Sequence, residues 1–231
     1  MFTTSGLNLF TNFRNPISVE QKCLFNEYIT CFIEYSYLLI DYFTERTDKK
    51  SLILLITMKR IGLLSDTHGY LDPNIWSYFA DVDEVWHAGD IGDMATLEAL
   101  EKFKILRVVY GNIDDYLVRS ATKEFLRFKI EDVEVLMTHI GGKPGKYARP
   151  AQEELQANGA PQLFVCGHSH IALAQFDQRF NMLWLNPGAC GYKGFHQVKT
   201  IFRFSITGPK IHDLECIELG PRIGNFTEAS F

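Results

Sequence analysis

From Met58 onward the hydrophobic and polar positions switch repeatedly between two periods. Short apolar, β-branched runs at Lys59–Ser65, Glu84–His87 and Lys104–Tyr110 have the length and composition of strands, and between them Asn74–Ala80 and Ala95–Phe103 carry apolar residues at helical spacing. That alternation predicts right-handed crossovers and a largely parallel sheet. The pattern then changes. Phe125–Ile130 and Val133–Thr138 read as a hairpin turned by Glu131 and Asp132, and Pro150–Ala157 reads as a helix with proline in its first turn. Ile171–Phe176, Met182–Leu185, Lys199–Ile206 and Lys210–Leu219 follow as consecutive strands, the last turn marked by Gly208 and Pro209. A parallel half followed by an antiparallel half predicts an α/β fold of two mixed sheets packed face to face and flanked by helices. No internal repeat or low-complexity tract interrupts it.

The apolar runs end alike. Ile61–Leu64 leads into Ser65, Asp66, Thr67 and His68; Val85–His87 leads into Gly89 and Asp90; Leu106–Tyr110 into Gly111 and Asn112; Val133–Thr138 into His139; and Leu163–Cys166 into Gly167, His168, Ser169 and His170. A single Asp-x-His triplet is more often a cap or a turn than a ligand pair. Repetition at five strand ends asks for one cause, because in open α/β sheets ligands bind outside the carboxyl ends of the strands. Successive strand residues face opposite ways, so Asp66 and His68 can share a centre only if the chain leaves regular geometry at Asp66. The seven candidates supply oxygen and nitrogen donors and no thiolate, which suits borderline divalent ions such as Mn, Fe, Co, Ni or Zn rather than a structural zinc. Seven donors exceed what one such ion takes from protein; two ions sharing a carboxylate would use them.

Composition narrows the partners. The 231 residues are 46% hydrophobic, enough for a substantial core, and a net charge of -5 is not the footprint of a protein that binds long nucleic acid. Cys23, Cys31, Cys166, Cys190 and Cys216 form no close CxxC pair, which suits a reducing, cytoplasmic compartment, and Cys166 and Cys190 read as buried neutral thiols. Residues 1–57 differ from the rest: Asn26–Phe43 has apolar positions at roughly helical spacing but contains Glu34 and Asp41, too polar for a membrane span, and no secretory signal pattern precedes it. Because Met58, Lys59 and Arg60 open the first strand as a natural start would, residues 1–57 are expected to be a disordered or helical extension or a start-codon artefact. The expected domain is 58–222, with 223–231 a tail.

The ordered set Asp66-Thr67-His68, Gly89-Asp90, Gly111-Asn112, Met137-Thr138-His139 and Gly167-His168-Ser169-His170, with Asn186-Pro187-Gly188 after it, resembles the calcineurin-like metallophosphoesterases, closest to their small bacterial and archaeal phosphodiesterase branch. The resemblance runs from about Met58 to Gly194. It implies a four-layer α/β/β/α sandwich and two divalent ions, manganese foremost. Asp66, His68 and His170 would hold one ion, Asn112, His139 and His168 the other, and Asp90 would bridge them. A bridging hydroxide would then hydrolyse a small phosphate ester, most simply a phosphodiester. Many larger relatives carry a histidine after the asparagine, whereas this chain has Ile113, which moves no proton and leaves the general acid unassigned.

The remaining polar residues receive plainer readings. Asp114 is expected to cap a helix; His87 reads equally as a core histidine or as a support for the donors; His196 is expected on a surface loop and His212 facing solvent. Gly141–Gly145 is expected to be a flexible loop, with Lys143, Lys146 and Arg149 as solvated charges. Two other functions stay open: a phosphomonoesterase, and a protein-binding scaffold, because a eukaryotic retromer component shares the resemblance. The expected partner is a small phosphate ester, with no long nucleic acid and no membrane, and association with further copies of the chain stays open.

Overall fold

The computed structural model describes residues 58–222. The expectations for 1–57 and 223–231 fall outside the described residues. The first strand, β1 (Lys59–Leu64), is followed by a short helix α1 (Ile75–Tyr78), β2 (Glu84–His87), α2 (Met94–Phe103), β3 (Ile105–Val108) and α3 (Tyr116–Ala121). Then come β4 (Phe125–Ile130), β5 (Val133–Thr138), a small hairpin of β6 (Gly142–Lys143) and β7 (Lys146–Tyr147), α4 (Arg149–Asn158) and β8 (Leu163–Val165). Four long strands close the fold: β9 (Ala172–Asp177), β10 (Met182–Pro187), β11 (Val198–Thr207) and β12 (Lys210–Pro221). Among the described residues no helix is long and apolar enough to cross a membrane.

Two five-stranded mixed sheets result, ordered β12-β11-β1-β2-β3 and β4-β5-β8-β10-β9. Within the first, β1, β2 and β3 are parallel and β11 and β12 run antiparallel beside them. Within the second, β5, β8 and β10 are parallel and β4 and β9 flank them antiparallel. The expected division into a parallel half and an antiparallel half is therefore corrected: each sheet has a parallel centre and antiparallel margins, because the last hairpin returns to pair with β1.

Strand alternation builds the layers. Ile61 and Leu63 of β1, Trp86 of β2, Val135 and Met137 of β5, Val165 of β8 and Phe204 of β11 meet in one buried cluster between the sheets. Leu64, Val85 and Ile201 point the other way and pack with Ile75 and Phe79, at α1 and its C-terminal end, and Leu100 of α2, while Leu136, Phe164 and Trp184 pack outward against Ala151 and Leu155 of α4. The order is helices, sheet, sheet, helix. Two elements were not expected. Helix α3 buries only Val118 and leaves Tyr116 and Leu117 exposed, so it has no amphipathic pattern to read. The 141–145 segment is not a free loop but part of the β6–β7 hairpin, anchored by the Tyr147 hydroxyl donating to Asp177 Oδ2 at 2.6 Å.

Candidate metal centre

The five polar strand ends converge because of this topology. Asp66, Asp90 and Asn112 follow the parallel strands β1, β2 and β3, and His139 and the His168–His170 turn follow the parallel strands β5 and β8 of the facing sheet. The backbone departs from strand geometry where the sequence requires it: Asp66, His68, Asp90, His168 and His170 have positive φ of 57°, 51°, 56°, 67° and 58°. A left-handed non-glycine residue costs energy and persists only where its surroundings hold it, which is typical of functional sites. Here hydrogen bonds between loops do the holding: the Asp66, His68 and Gly69 amides donate to the carbonyls of Gly89, Asp90 and Ile91 at 2.8–3.0 Å. Motif glycines allow the close approach. A Cβ on Gly111 would lie 2.0 Å from Asp90 Oδ1, and one on Gly89 would lie 2.6 Å from His139.

Among the described residues two groups place their donor atoms within 4.8 Å of one another: Asp66 with His68 and His170, and Asp66 with Asp90 and His139. His170 Nε2 stands 3.0 Å from Asp66 Oδ1, and His139 Nε2 stands 3.2 Å from Asp90 Oδ1 and 3.9 Å from Asp66 Oδ1. Asp90 faces both ways, its Oδ2 being 3.8 Å from His68 Nε2. Asp66 is thus as central as Asp90. His168 meets His139 edge to face at 5.2 Å between ring centroids and donates its amide to Asp66 Oδ2, but its ring lies outside both groups. Asn112 borders the cleft beside His139.

The donor set fits divalent cations on an observation of the fold itself. Asp66 Oδ1, His68 Nε2 and His139 Nε2 are buried without a hydrogen-bond partner, each ordinarily a cost of about 1–3 kcal/mol. His139 Nδ1 donates to the Ala88 carbonyl at 2.7 Å, which fixes the ring and leaves Nε2 to face the carboxylates. Burial alone would lower the His139 pKa, but the Asp90 contact and the charges of Asp66 and Asp90 raise it above the ordinary imidazole value. For Asp90, burial pushes upward and is overridden by His139, so its carboxyl stays below the usual range. At His68 burial prevails over both aspartates and the pKa is lowered.

Several supports were missed or misread in the sequence. Asp114 is not a helix cap: its carboxylate accepts the amides of Gly92 and Gly111, both at 2.7 Å, and so ties the loop after Asp90 to the Asn112 loop, while Asp115 caps α3. His87 is a buried support, accepting the Gly89 amide at Nδ1 and meeting Thr67 Oγ1 at Nε2, and burial pushes its pKa down to about 4. His196 is not on a free surface loop. It is half-buried, edge to face with His170 at 5.3 Å, and held by Gly191 O. Asn186 donates to Gly167 O and Ser169 Oγ, bracing the turn that carries His168 and His170. Lys143, Lys146 and Arg149 are exposed, and Cys166 and Cys190 are buried thiols whose pKa burial raises.

The sequence model of the calcineurin-like phosphoesterase superfamily domain matches residues 58–208. A probable metallophosphoesterase of Methanocaldococcus jannaschii is 31% identical over 137 residues, covering 56% of this chain and 67% of that protein. Two solved structures share the fold. An archaeal phosphodiesterase superposes with a TM-score of 0.54 at 22% identity, covering 69% of this chain and 99% of its own. Vps29 of Entamoeba histolytica complexed with zinc superposes with a TM-score of 0.54 at 16% identity, covering 71% of this chain and 99% of its own.

Proposed function

The chain belongs to the calcineurin-like phosphoesterase superfamily, and on that premise we propose that it is a dinuclear metal-dependent phosphodiesterase. One observation carries the reading: three unpartnered buried donor atoms, on Asp66, His68 and His139, collect where the parallel strands of both sheets end. In the proposed division Asp66, His68 and His170 hold one ion, Asn112, His139 and His168 the other, and Asp90 lies between. When bound, such a pair neutralises phosphate charge and brings the pKa of water to about 7.

The side chains make that possible in distinct ways. The buried carboxylates of Asp66 and Asp90 supply the negative charge that draws cations inward, and the Ala88 carbonyl orients His139 so that Nε2 faces them. Asn112 offers an amide oxygen and adds no charge to repel an incoming phosphate. Ile113, 46% exposed beside it, has no proton to give, which favours esters whose leaving group departs without help. The archaeal neighbour named as a phosphodiesterase supports the diester preference. The zinc-bound neighbour supports metal binding by this fold.

Purified protein supplied with Mn2+ should hydrolyse bis(p-nitrophenyl) phosphate faster than p-nitrophenyl phosphate, lose activity with chelator and regain it with added metal. Faster cleavage of the monoester would make the protein a phosphomonoesterase. Indifference to chelator, or no hydrolysis of either, would leave the scaffold reading.

A further inference from the structure

A cavity of about 380 Å³ is lined by the metal-centre candidates Asn112 and His139 and by neither aspartate. That is within the range of about 300–1,000 Å³ seen for small-molecule sites, and a phosphate seated on the donors would leave most of it empty. Its walls mix apolar and aromatic side chains, Tyr110, Phe125, Ile140 and Pro150, with the polar Arg119, Glu124 and Thr138. Ile140, 42% exposed despite its size, directly follows His139.

The polar groups of this cleft define what it can take. Arg119 lines it but uses Nε on the Asp114 carbonyl at 2.7 Å and Nη2 on the carbonyls of Asn112 and Gly111 at 2.9 and 3.2 Å, with its guanidinium 5.0 Å from the Tyr110 ring. It is a fixture of the Asn112 loop. Glu124 accepts the Tyr110 hydroxyl at 3.2 Å, so the neighbouring wall carries a carboxylate bound to a phenol. A carboxylate on a ligand here would lie beside the Glu124 carboxylate, with Nε and Nη2 of Arg119 already taken by backbone carbonyls.

Resting on the phosphodiesterase reading, we propose that this cleft is the subsite for one ester arm of the substrate, and that the arm is an uncharged aromatic ring. Phosphorus would sit at the donors, and the ring would lie against Tyr110, Phe125, Ile140 and Pro150.

Phosphonates, which are not hydrolysed, separate the subsite from the chemistry. Isothermal titration of Mn2+-loaded full chain with phenylphosphonate and methylphosphonate should give at least about tenfold tighter binding of the phenyl compound, the gain expected from burying a ring. 4-Carboxyphenylphosphonate should lose most of that gain. Tyr110→Ala and Ile140→Ala should shrink the phenyl-to-methyl ratio, and Tyr110→Phe should keep it. Because the ratio is internal to each variant, damage to the metal centre weakens both ligands and leaves it unchanged. Equal affinities in the wild type overturn the subsite even if diesters are hydrolysed. Tight phenyl-selective binding without any hydrolysis upholds the subsite and sinks the phosphodiesterase reading, and binding of neither anion overturns both.

Discussion

Asp90 concentrates the argument at the scale of single residues. Its backbone is left-handed with φ 56°, its Oδ1 accepts the Ile113 amide at 3.1 Å, and its two oxygens face His139 and His68 separately. Asp90→Asn keeps the shape and removes the charge, so the variant should fold and bind fewer than the two Mn2+ ions per chain expected of wild type. Elemental analysis after gel filtration reads this directly, and two retained ions would remove Asp90 from the bridging position. Asp66→Asn should lose metal comparably, since Asp66 Oδ1 approaches both His170 and His139. Both aspartates were legible in the sequence, being acids at the end of apolar runs. Asp114 and His196 were not, because their roles come from long-range neighbours: the Gly92 amide for one and the His170 ring for the other. A local pattern shows what a residue follows in the chain, not what it will face.

At the scale of elements, the loops that carry the donors depend on ties to distant strands. Asp72, in the loop after β1, is buried against Lys199 of β11 and bonded to its ammonium. Burial alone would raise the Asp72 pKa, but the Lys199 bond and the Asn74 amide lower it below the usual carboxylate value. A carboxyl whose folded pKa is depressed contributes stability above its unfolded pKa, about 3.9, and loses it as pH falls through the folded value. Wild-type protein should therefore show a urea midpoint that falls as pH drops below about 4, with Asp72→Asn less stable at neutral pH and flatter in that acid window. Parallel slopes for the two would dissociate Asp72 from acid unfolding. Strands β1, β2, β4 and β5 were legible nearly to the residue, because apolar residues recur in them at strand spacing even where Arg127, Lys129 and Glu134 alternate with them. Helix α3 and the β6–β7 hairpin were not: one buries a single side chain and the other is two residues per strand, too little for a period to register.

For the whole molecule, the parallel centres of two sheets direct their carboxyl ends to a common rim, and the shared core around Trp86, which meets Phe128 of one sheet and Phe204 of the other edge to face at 5.0 and 5.6 Å, fixes how the sheets face each other. That arrangement was half legible. The two sheets followed from the element order, but the return of β11 and β12 to the first sheet did not, since strand pairing across more than a hundred residues leaves no local trace. Each ion of the proposed division takes donors from both sheets, Asp66 and His68 with His170 for one and Asn112 with His139 and His168 for the other, so metal should stabilise the fold as a whole and not one loop. Ligands that bind only the native state add about 2.7 kcal/mol at 100 times their Kd. Thermal unfolding of the full chain, followed through the core tryptophans and by far-UV circular dichroism, should shift upward with Mn2+ by the same amount in both signals. The shift should shrink in Asp90→Asn. A rise in one signal alone, or an equal rise in the variant, would mean that the metal sits elsewhere than between the sheets.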